Sequence, residues 1–350
     1  MRQRPRSIVA VLITAALATL VSASGADATV QGPSYQLLDL GTLGGQSSYA
    51  SAINDRGHVV GSSQVGDGTW HGFLWRSGTM TDLGLFRPNG INNQDELIGT
   101  TEADTSAYLW RDGTITRLGS LGGPWTYPVA INDRGQVVGT SSTADAVDAV
   151  FLWSCGLMRP LPLHSVSDIN IRGQVAGGRR HEPGGHHAAV WWRGKVTDLG
   201  AGPFDRSNTS GIDVRGWAVG WQFSAAQDER GVLWRRGKAV DLGTLGGAAT
   251  HVIAINDRGQ ILGTSETAGG DVHPFLWQRG IMTDLTGSGV DPDHDFVGLN
   301  DRGEIATSFR PEWGTSHAAI YRPVRMGQQI PGSAESAAGA RPATPRCGDR

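Results

Sequence analysis

The sequence predicts an all-β fold: a seven-bladed β-propeller of four-stranded antiparallel blades, closed by an N-terminal strand that completes the last blade. Three observations predict it. An Ile-Asn-type phrase recurs at Ile53, Ile91, Ile131, Ile169, Ile212, Ile255 and Leu299, at spacings of 38, 40, 38, 43, 43 and 44 residues. A period near forty marks a stacked array or a propeller. The 350 residues include 51 Gly and only 18% charged side chains, which suits short strands joined by turns and suits neither disorder nor helices. Finally, the last copy stops after residues 318–324, its third strand, while residues 35–40 form an orphan fourth strand at the other end of the chain. Pairing the two closes the ring and removes the edges that a solenoid must cap. The propeller is therefore expected over residues 34–324.

Each element of a blade can be justified from the first copy. Residues 51–53 form a short inner strand, a. Asn54-Asp55-Arg56-Gly57 is a turn whose Gly supplies positive φ. Residues 58–62 form strand b. Its Gly61 recurs as Gly99, Gly139, Gly177, Gly220 and Gly263, with Ala306 taken as the last member, and a recurrent small residue in a strand marks a close approach. Residues 71–75, His-Gly-Phe-Leu-Trp, form strand c; Arg76-Ser77-Gly78 turn the chain; residues 79–83 form strand d. A Gly-rich loop leads to the next copy. Trp75, Trp110, Trp153, Trp191, Trp234 and Trp277 hold the same strand-c position and are assigned to the core.

The ends read differently. Arg2, Arg4 and Arg6 precede an apolar stretch at 8–21, too short to span a bilayer, and Ala26-Asp27-Ala28 offers a small-x-small cleavage site. Residues 1–28 are therefore expected to be a signal peptide and the protein to be secreted. Residues 325–350, rich in Pro, Ala, Gly, Ser and Arg, are expected to be a disordered tail. Cleavage would take the net charge from −3 to −5, which leaves no basic footprint for nucleic acid. No membrane span is expected, and the chain is expected to be monomeric. Cys155 lies at a hairpin turn and Cys347 in the tail, so a disulfide between them is not expected to contribute.

A second regularity runs through the blades. Four residues before each strand-c aromatic stand His71, Ser106, Ala149, His187, Arg230, His273 and His317. Eleven residues after the first six stand Asp82, Arg117, Pro160, Asp198, Asp241 and Asp284. Wherever the first is His or Arg, the second is Asp, and the partner of His317 would be Asp39. Hairpin pairing brings such positions together. The pairs His71–Asp82, His187–Asp198, His273–Asp284 and His317–Asp39 are read as structural, since nothing singles out one blade for catalysis.

Residues 40–45 and 242–247 (LGTLGG), 130–139 (AINDRGQVVG) and the His-x-Phe-Leu-Trp strands at 71–75 and 273–277 resemble the extracellular HAF repeat family. The family's His-Ala-Phe triplet is varied here, as His71-Gly72-Phe73, His273-Pro274-Phe275 and His187-Ala188-Ala189. The resemblance covers residues 35–324. It implies a secreted repeat protein and transfers no catalytic residue.

Function is expected where the copies differ. The a–b and c–d turns are short and repetitive, whereas the d–a and b–c connections vary and open on the opposite face, the expected place for binding. Trp70, Trp125, Trp221 and Trp313 lie in or beside these connections and are the candidate ligand-binding residues. Asp291, Asp293 and Asp295 alternate in a pattern that could supply oxygen ligands to Ca²⁺, although the Gly and distal Glu of an EF-hand are absent. No other cofactor is expected. The stretch from His181 to His187 carries three His, but His187 belongs to the repeated position and the spacing fits no helical metal motif, so no metal is assigned to it. There is no Gly-x-Ser-x-Gly elbow, phosphate loop or His-Glu-x-x-His. The favoured reading is a secreted, non-catalytic binding or scaffolding module for an extracellular carbohydrate, cell-wall component or protein. The competing one is a hydrolase or lyase with its active site in the axial channel.

Overall fold

The structure, a computed structural model, describes residues 33–324 apart from 102–103, 182–184 and 224–228. The expected signal peptide and tail lie outside the described residues. Seven four-stranded antiparallel sheets make up the fold. Blade 1 is β2 (Gly44–Ile53), β3 (Val59–Val65), β4 (Trp70–Arg76) and β5 (Thr79–Asp82). Blade 2 is β6 (Phe86–Ile91) to β9 (Thr114–Arg117), and blade 3 is β10 (Gly122–Ile131), β11 (Val137–Thr143), β12 (Asp148–Ser154) and β13 (Leu157–Leu161). Blade 4 is β14 (Ser165–Ile169), β15 (Val175–His181), β16 (Gly185–Trp192) and β17 (Lys195–Asp198). Blade 5 is β18 (Arg206–Ile212), β19 (Ala218–Phe223), β20 (Glu229–Arg235) and β21 (Lys238–Asp241). Blade 6 is β22 (Gly246–Ile255), β23 (Ile261–Thr267), β24 (Val272–Gln278) and β25 (Ile281–Asp284). Blade 7 joins β26 (Asp295–Leu299), β27 (Ile305–Phe309) and β28 (His317–Val324) to β1 (Ser34–Asp39) from the start of the chain. In that closing pair Leu37 faces Tyr321 and Asp39 faces Ala319.

Strand b supplies the centre of each sheet. Val59, Val60, Leu97, Ile98, Val137, Val138, Ile261 and Leu262 are fully buried, because both faces of a blade pack on neighbours. The c–d hairpins turn on pairs with positive φ at both central residues, such as Ser77-Gly78 and Arg279-Gly280, a twist that matches the strands they join. Cys155-Gly156 is one of these turns. Contrary to the sequence expectation, Cys155 takes part in a disulfide.

The recurrent strand-b glycine has a visible cause. A Cβ on Gly61 would stand 1.9 Å from the Tyr49 carbonyl oxygen, and one on Gly263 would stand 2.2 Å from that of His251. The register corrects one member of the series. Leu299 pairs with Ile305 as Ile53 pairs with Val59, which puts Thr307, not Ala306, at the glycine position. There the Thr307 hydroxyl donates to the Asp295 carbonyl at 2.9 Å, so the side chain is accommodated by bonding the group that elsewhere excludes it.

A second correction concerns strand a. In blades 1, 3 and 6 it runs for 10 residues and takes in the Gly-Gly pair that the sequence suggests is loop. Gly44, Gly122 and Gly246 have φ of +103°, +108° and +111°, and the Leu before each bridges to the end of strand b, as Leu43 does to Val65. The Leu-Gly-x-Leu-Gly-Gly phrase is thus a hook that extends the inner strand. In blades 2, 4, 5 and 7 strand a has only 5–7 residues and no hook.

The blades are joined by the Asn of the repeated turn. Its amide nitrogen donates to the backbone carbonyl of the equivalent residue in the next blade: Asn54 to Asn92, Asn92 to Asn132, Asn132 to Asn170, and Asn170 to Asp213, at 2.8–3.1 Å. Asn256 donates to Asn300, and Asn300 closes the circle on Asn54 at 3.0 Å. Blade 5 has Asp213 at this position, and the link to blade 6 is made instead by the Val214 N–H to Asp257 Oδ1 at 2.7 Å. Each Asn also accepts two N–H groups of its own turn, as Asn132 Oδ1 does from Arg134 and Gln136.

Two predictions follow from closure. Asn132→Ala should lower stability by about 2–4 kcal/mol in chemical denaturation, since it leaves buried backbone groups on two blades without partners. Deleting residues 34–39 should abolish cooperative unfolding, and a deletion variant that melts like the parent would refute the role of β1.

Candidate functional site

The four His/Asp pairs come together in their hairpins: His71 Nδ1 lies 2.9 Å from Asp82, His187 Nδ1 3.0 Å from Asp198, His273 Nδ1 2.7 Å from Asp284, and His317 Nδ1 2.8 Å from Asp39. Arg230 reaches Asp241 at 2.8 Å in the same way, and in blade 2 the polarity is reversed, with Arg117 donating to Ser106 at 3.0 Å. The same Asp caps the following turn, as the Gly84 N–H to Asp82 Oδ1 contact of 2.7 Å shows. Burial opposes ionisation of Asp82, but the His71 and Gly84 hydrogen bonds outweigh it and hold the carboxyl below its ordinary range. Repetition in four blades makes this a blade clasp.

The axial ring of Asp is also structural. Asp55 Oδ1 accepts the Asp301 N–H, Asp301 Oδ1 accepts the Asp257 N–H, and Asp133 Oδ1 accepts the Asn93 N–H, all at 2.8 Å. Burial, with Asp55 and Asp257 nearby, pushes Asp301 up to about 6. Asp168 is likewise pushed up to about 6 by burial, and its oxygens accept the N–H groups of Ile169 and Ile212 at 2.7 and 2.9 Å. Asp168 and Asp301 have raised pKa values, yet each already accepts a backbone N–H.

Three of the four candidate tryptophans lie on strands, Trp70 still beside its b–c connection. Trp125 lies within β10, Trp221 within β19 and Trp70 at the start of β4, because the hook and the long b strands take up residues that the sequence suggests are loop. Trp70 stacks on Tyr49 at 5.5 Å. Trp125 is half-buried, and its backbone N–H donates to Ser142 Oγ at 3.1 Å. Trp313 alone stands on a connection, the b–c turn of blade 7, fully exposed. Asp291, Asp293 and Asp295 do not form a group whose ligand atoms all lie within 4.8 Å of one another. Asp291 Oδ1 accepts the Asp293 N–H at 2.9 Å, and the Asp291 N–H donates to the Tyr321 hydroxyl, which lies 2.8 Å from His294 Nδ1. The Asp291 carboxylate serves a local turn, and Asp295 opens β26.

Trp221 does line a cavity. It has a volume of about 270 Å³ and is walled by His164, Ser165 and His186 of blade 4 and by Arg206, Ser207, Asn208, Trp221 and Phe223 of blade 5. Blades 4 and 5 are the one neighbouring pair in which neither carries the Leu-Gly-x-Leu-Gly-Gly hook. The His164 and His186 rings stack at 4.8 Å and 2° between planes, and Trp221 meets Phe223 edge-on at 4.7 Å. Burial, with His186 and Arg180 nearby, lowers the His164 pKa, which favours the neutral ring. Ser207 is committed to the frame: its hydroxyl donates to the Gly200 carbonyl and accepts the Ala188 N–H. Sequence reasoning missed His164, His186, Arg206, Asn208 and Phe223. The signal for His164 and for Arg206, the first residue of β18, was available in the d–a connections leading into blades 4 and 5, which depart from the LGTLGG pattern, whereas His186, Asn208 and Phe223 lie on strands.

No family model matches the sequence, and no curated protein matches it. Several solved structures do. The β-propeller domain of the trilobed protease from Pyrococcus furiosus is similar at a TM-score of 0.54 and 11% identity, over 75% of this chain and 89% of that one. YCF48 bound to a D1 peptide matches at 0.53 and 12%, over 86% and 98%. Virginiamycin B lyase from Staphylococcus aureus matches at 0.52 and 13%, over 83% and 100%. These likenesses establish the propeller fold and nothing finer. Among the described residues no helix is long and apolar enough to cross a membrane.

The axial ring generates a prediction whose sign can be worked out. The folded pKa of Asp301, about 6, lies above the ordinary Asp value of about 3.9. Between these values the folded state holds a proton that the unfolded state has lost, so this group's contribution to stability falls as pH rises and is least favourable above about 6. Asn stands at the equivalent position in blade 2, where Asn93 Oδ1 accepts the Asp55 N–H at 2.8 Å. Asp301→Asn should therefore keep the acceptor, remove the charge and raise the Tm at pH 7.5 by roughly 2–4 °C, with the difference gone at pH 4. A lower Tm at pH 7.5 would show that the carboxylate stabilises the ring.

Proposed function

We propose that the chain is a secreted, non-catalytic binding module that takes an extracellular carbohydrate in the cavity between blades 4 and 5. The observation that carries this reading is that the cavity opens where two neighbouring blades both lack the hook and present rings instead. Trp221 and Phe223 offer apolar faces for the C–H side of a sugar, while Arg206 and Asn208 bring hydrogen-bond donors for its hydroxyls. A volume of about 270 Å³ is small for a ligand pocket, which suits one sugar unit of a chain better than a long polymer segment. The leader-like residues 1–28 and the resemblance to the HAF repeat family support an extracellular setting. A hydrolase or lyase centred on the axial channel is disfavoured because the ring carboxylates are already acceptors for backbone N–H groups.

A glycan array probed with the folded chain, followed by calorimetry on the best hit, tests the proposal. Trp221→Ala should weaken binding by about thirtyfold, equivalent to ~2 kcal/mol. Trp70→Ala, Trp125→Ala and Trp313→Ala should bind like the parent, because those residues lie outside the cavity. Binding that survives Trp221→Ala, or that is lost with Trp313→Ala, would place the site elsewhere.

A further inference from the structure

We propose that His181, His187 and Asp198 of blade 4 form a site for a divalent transition-metal ion of the zinc type. The sheet brings them together where linear spacing gave no sign of it. His187 pairs with Arg179 across β15 and β16, so His181 lies two residues along the same strand face. The two rings stack at 3.9 Å and 14°. Ligand atoms of all three side chains lie within 4.8 Å of one another, and among the described residues this is the one His/Cys/Asp/Glu group that converges so.

The distances suit an ion. Ligands about 2.0–2.1 Å from a tetrahedral ion stand about 3.3 Å apart. His187 Nδ1 already stands 3.0 and 3.2 Å from the two Asp198 oxygens. A metal ion can therefore replace the proton that the pair shares: the Nδ1–H bond breaks, the proton leaves to solvent, and the nitrogen lone pair and a carboxylate oxygen bind the ion. His181 is exposed at the end of β15, and rotation of its side chain supplies the third ligand, with water as the fourth.

What adds a third ligand in blade 4 is His181. Blades 1 and 6 have the same clasp, His71–Asp82 and His273–Asp284, but β3 and β23 end in Val65 and Thr267 where β15 ends in His181. Those blades offer two ligands, and blade 4 offers three. One group opposes the ion: Arg179 Nη1 lies 3.5 Å from Asp198 Oδ2 and must give way or keep the second oxygen. The site faces away from the cavity: His186, which lines the cavity, is the neighbour of His187 on the strand and points to the other side of the sheet.

Calorimetric titration of the folded chain with ZnCl₂ tests this. The parent should bind one ion at micromolar concentration, His181→Val should bind at least tenfold more weakly, and His186→Ala should bind like the parent. His181→Val restores the residue type found in blade 1, so its melting temperature should not change. Absence of micromolar binding, parent-like binding by His181→Val, or equal loss in His186→Ala would each overturn the proposal.

Discussion

The fold depends on one side-chain contact repeated around a circle: the Asn amide of each a–b turn donating to the main chain of the next blade. Sheets of four short strands are marginal alone, and propeller blades touch mainly through apolar faces that do not fix their angle. A buried amide bond has direction and is costly to leave unmade. Six such bonds, with the Val214–Asp257 contact in blade 5, tie the blades in order and end where they began. The β1–β28 pairing closes the outer rim, and the Asn300–Asn54 bond closes the inner one.

That ring has an electrostatic cost. The residue after each Asn is Asp in four blades, and its carboxylate accepts an N–H from the preceding blade. Repeating the device crowds negative charge at the axis: burial raises Asp257 and Asp301, with Asp213 and Asp55 adding to the first and Asp55 and Asp257 to the second. Raised pKa values in a central channel would ordinarily suggest an active site. Here the cause is burial in the ring, and the backbone N–H groups that hold these carboxylates favour their ionised form.

The two faces of the disc have different freedom for the same reason. The a–b turns must reproduce the ring, so their sequence is repetitive. The opposite connections carry no such duty, and the hook is present in three blades and absent in four. Where it is present, a Gly-Gly pair covers the end of strand b. Where two adjacent blades lack it, a ring-lined cavity opens. The clasp His/Asp pairs behave similarly: identical in four blades, and extended only where His181 is added to one of them.

By itself the sequence determined the blade count, the closure by the first strand, the burial of Trp75, Trp153, Trp234 and Trp277 (with Trp110 and Trp191 only partly buried) and the His/Asp pairs. All of these are written as residues at a constant offset within one repeat, and a hairpin maps a constant offset onto a constant contact. The tertiary structure decided what crosses from one blade to another or depends on register. The role of Asn54 and its counterparts, the strand setting of Trp125 and Trp221, the Thr307 correction, the cavity of His164, His186, Arg206 and Trp221, and the approach of His181 to His187 all belong there. Such contacts join positions whose separation changes with loop length and with the β-bulges in strand a, and a period along the chain carries no record of which face of a sheet a side chain takes.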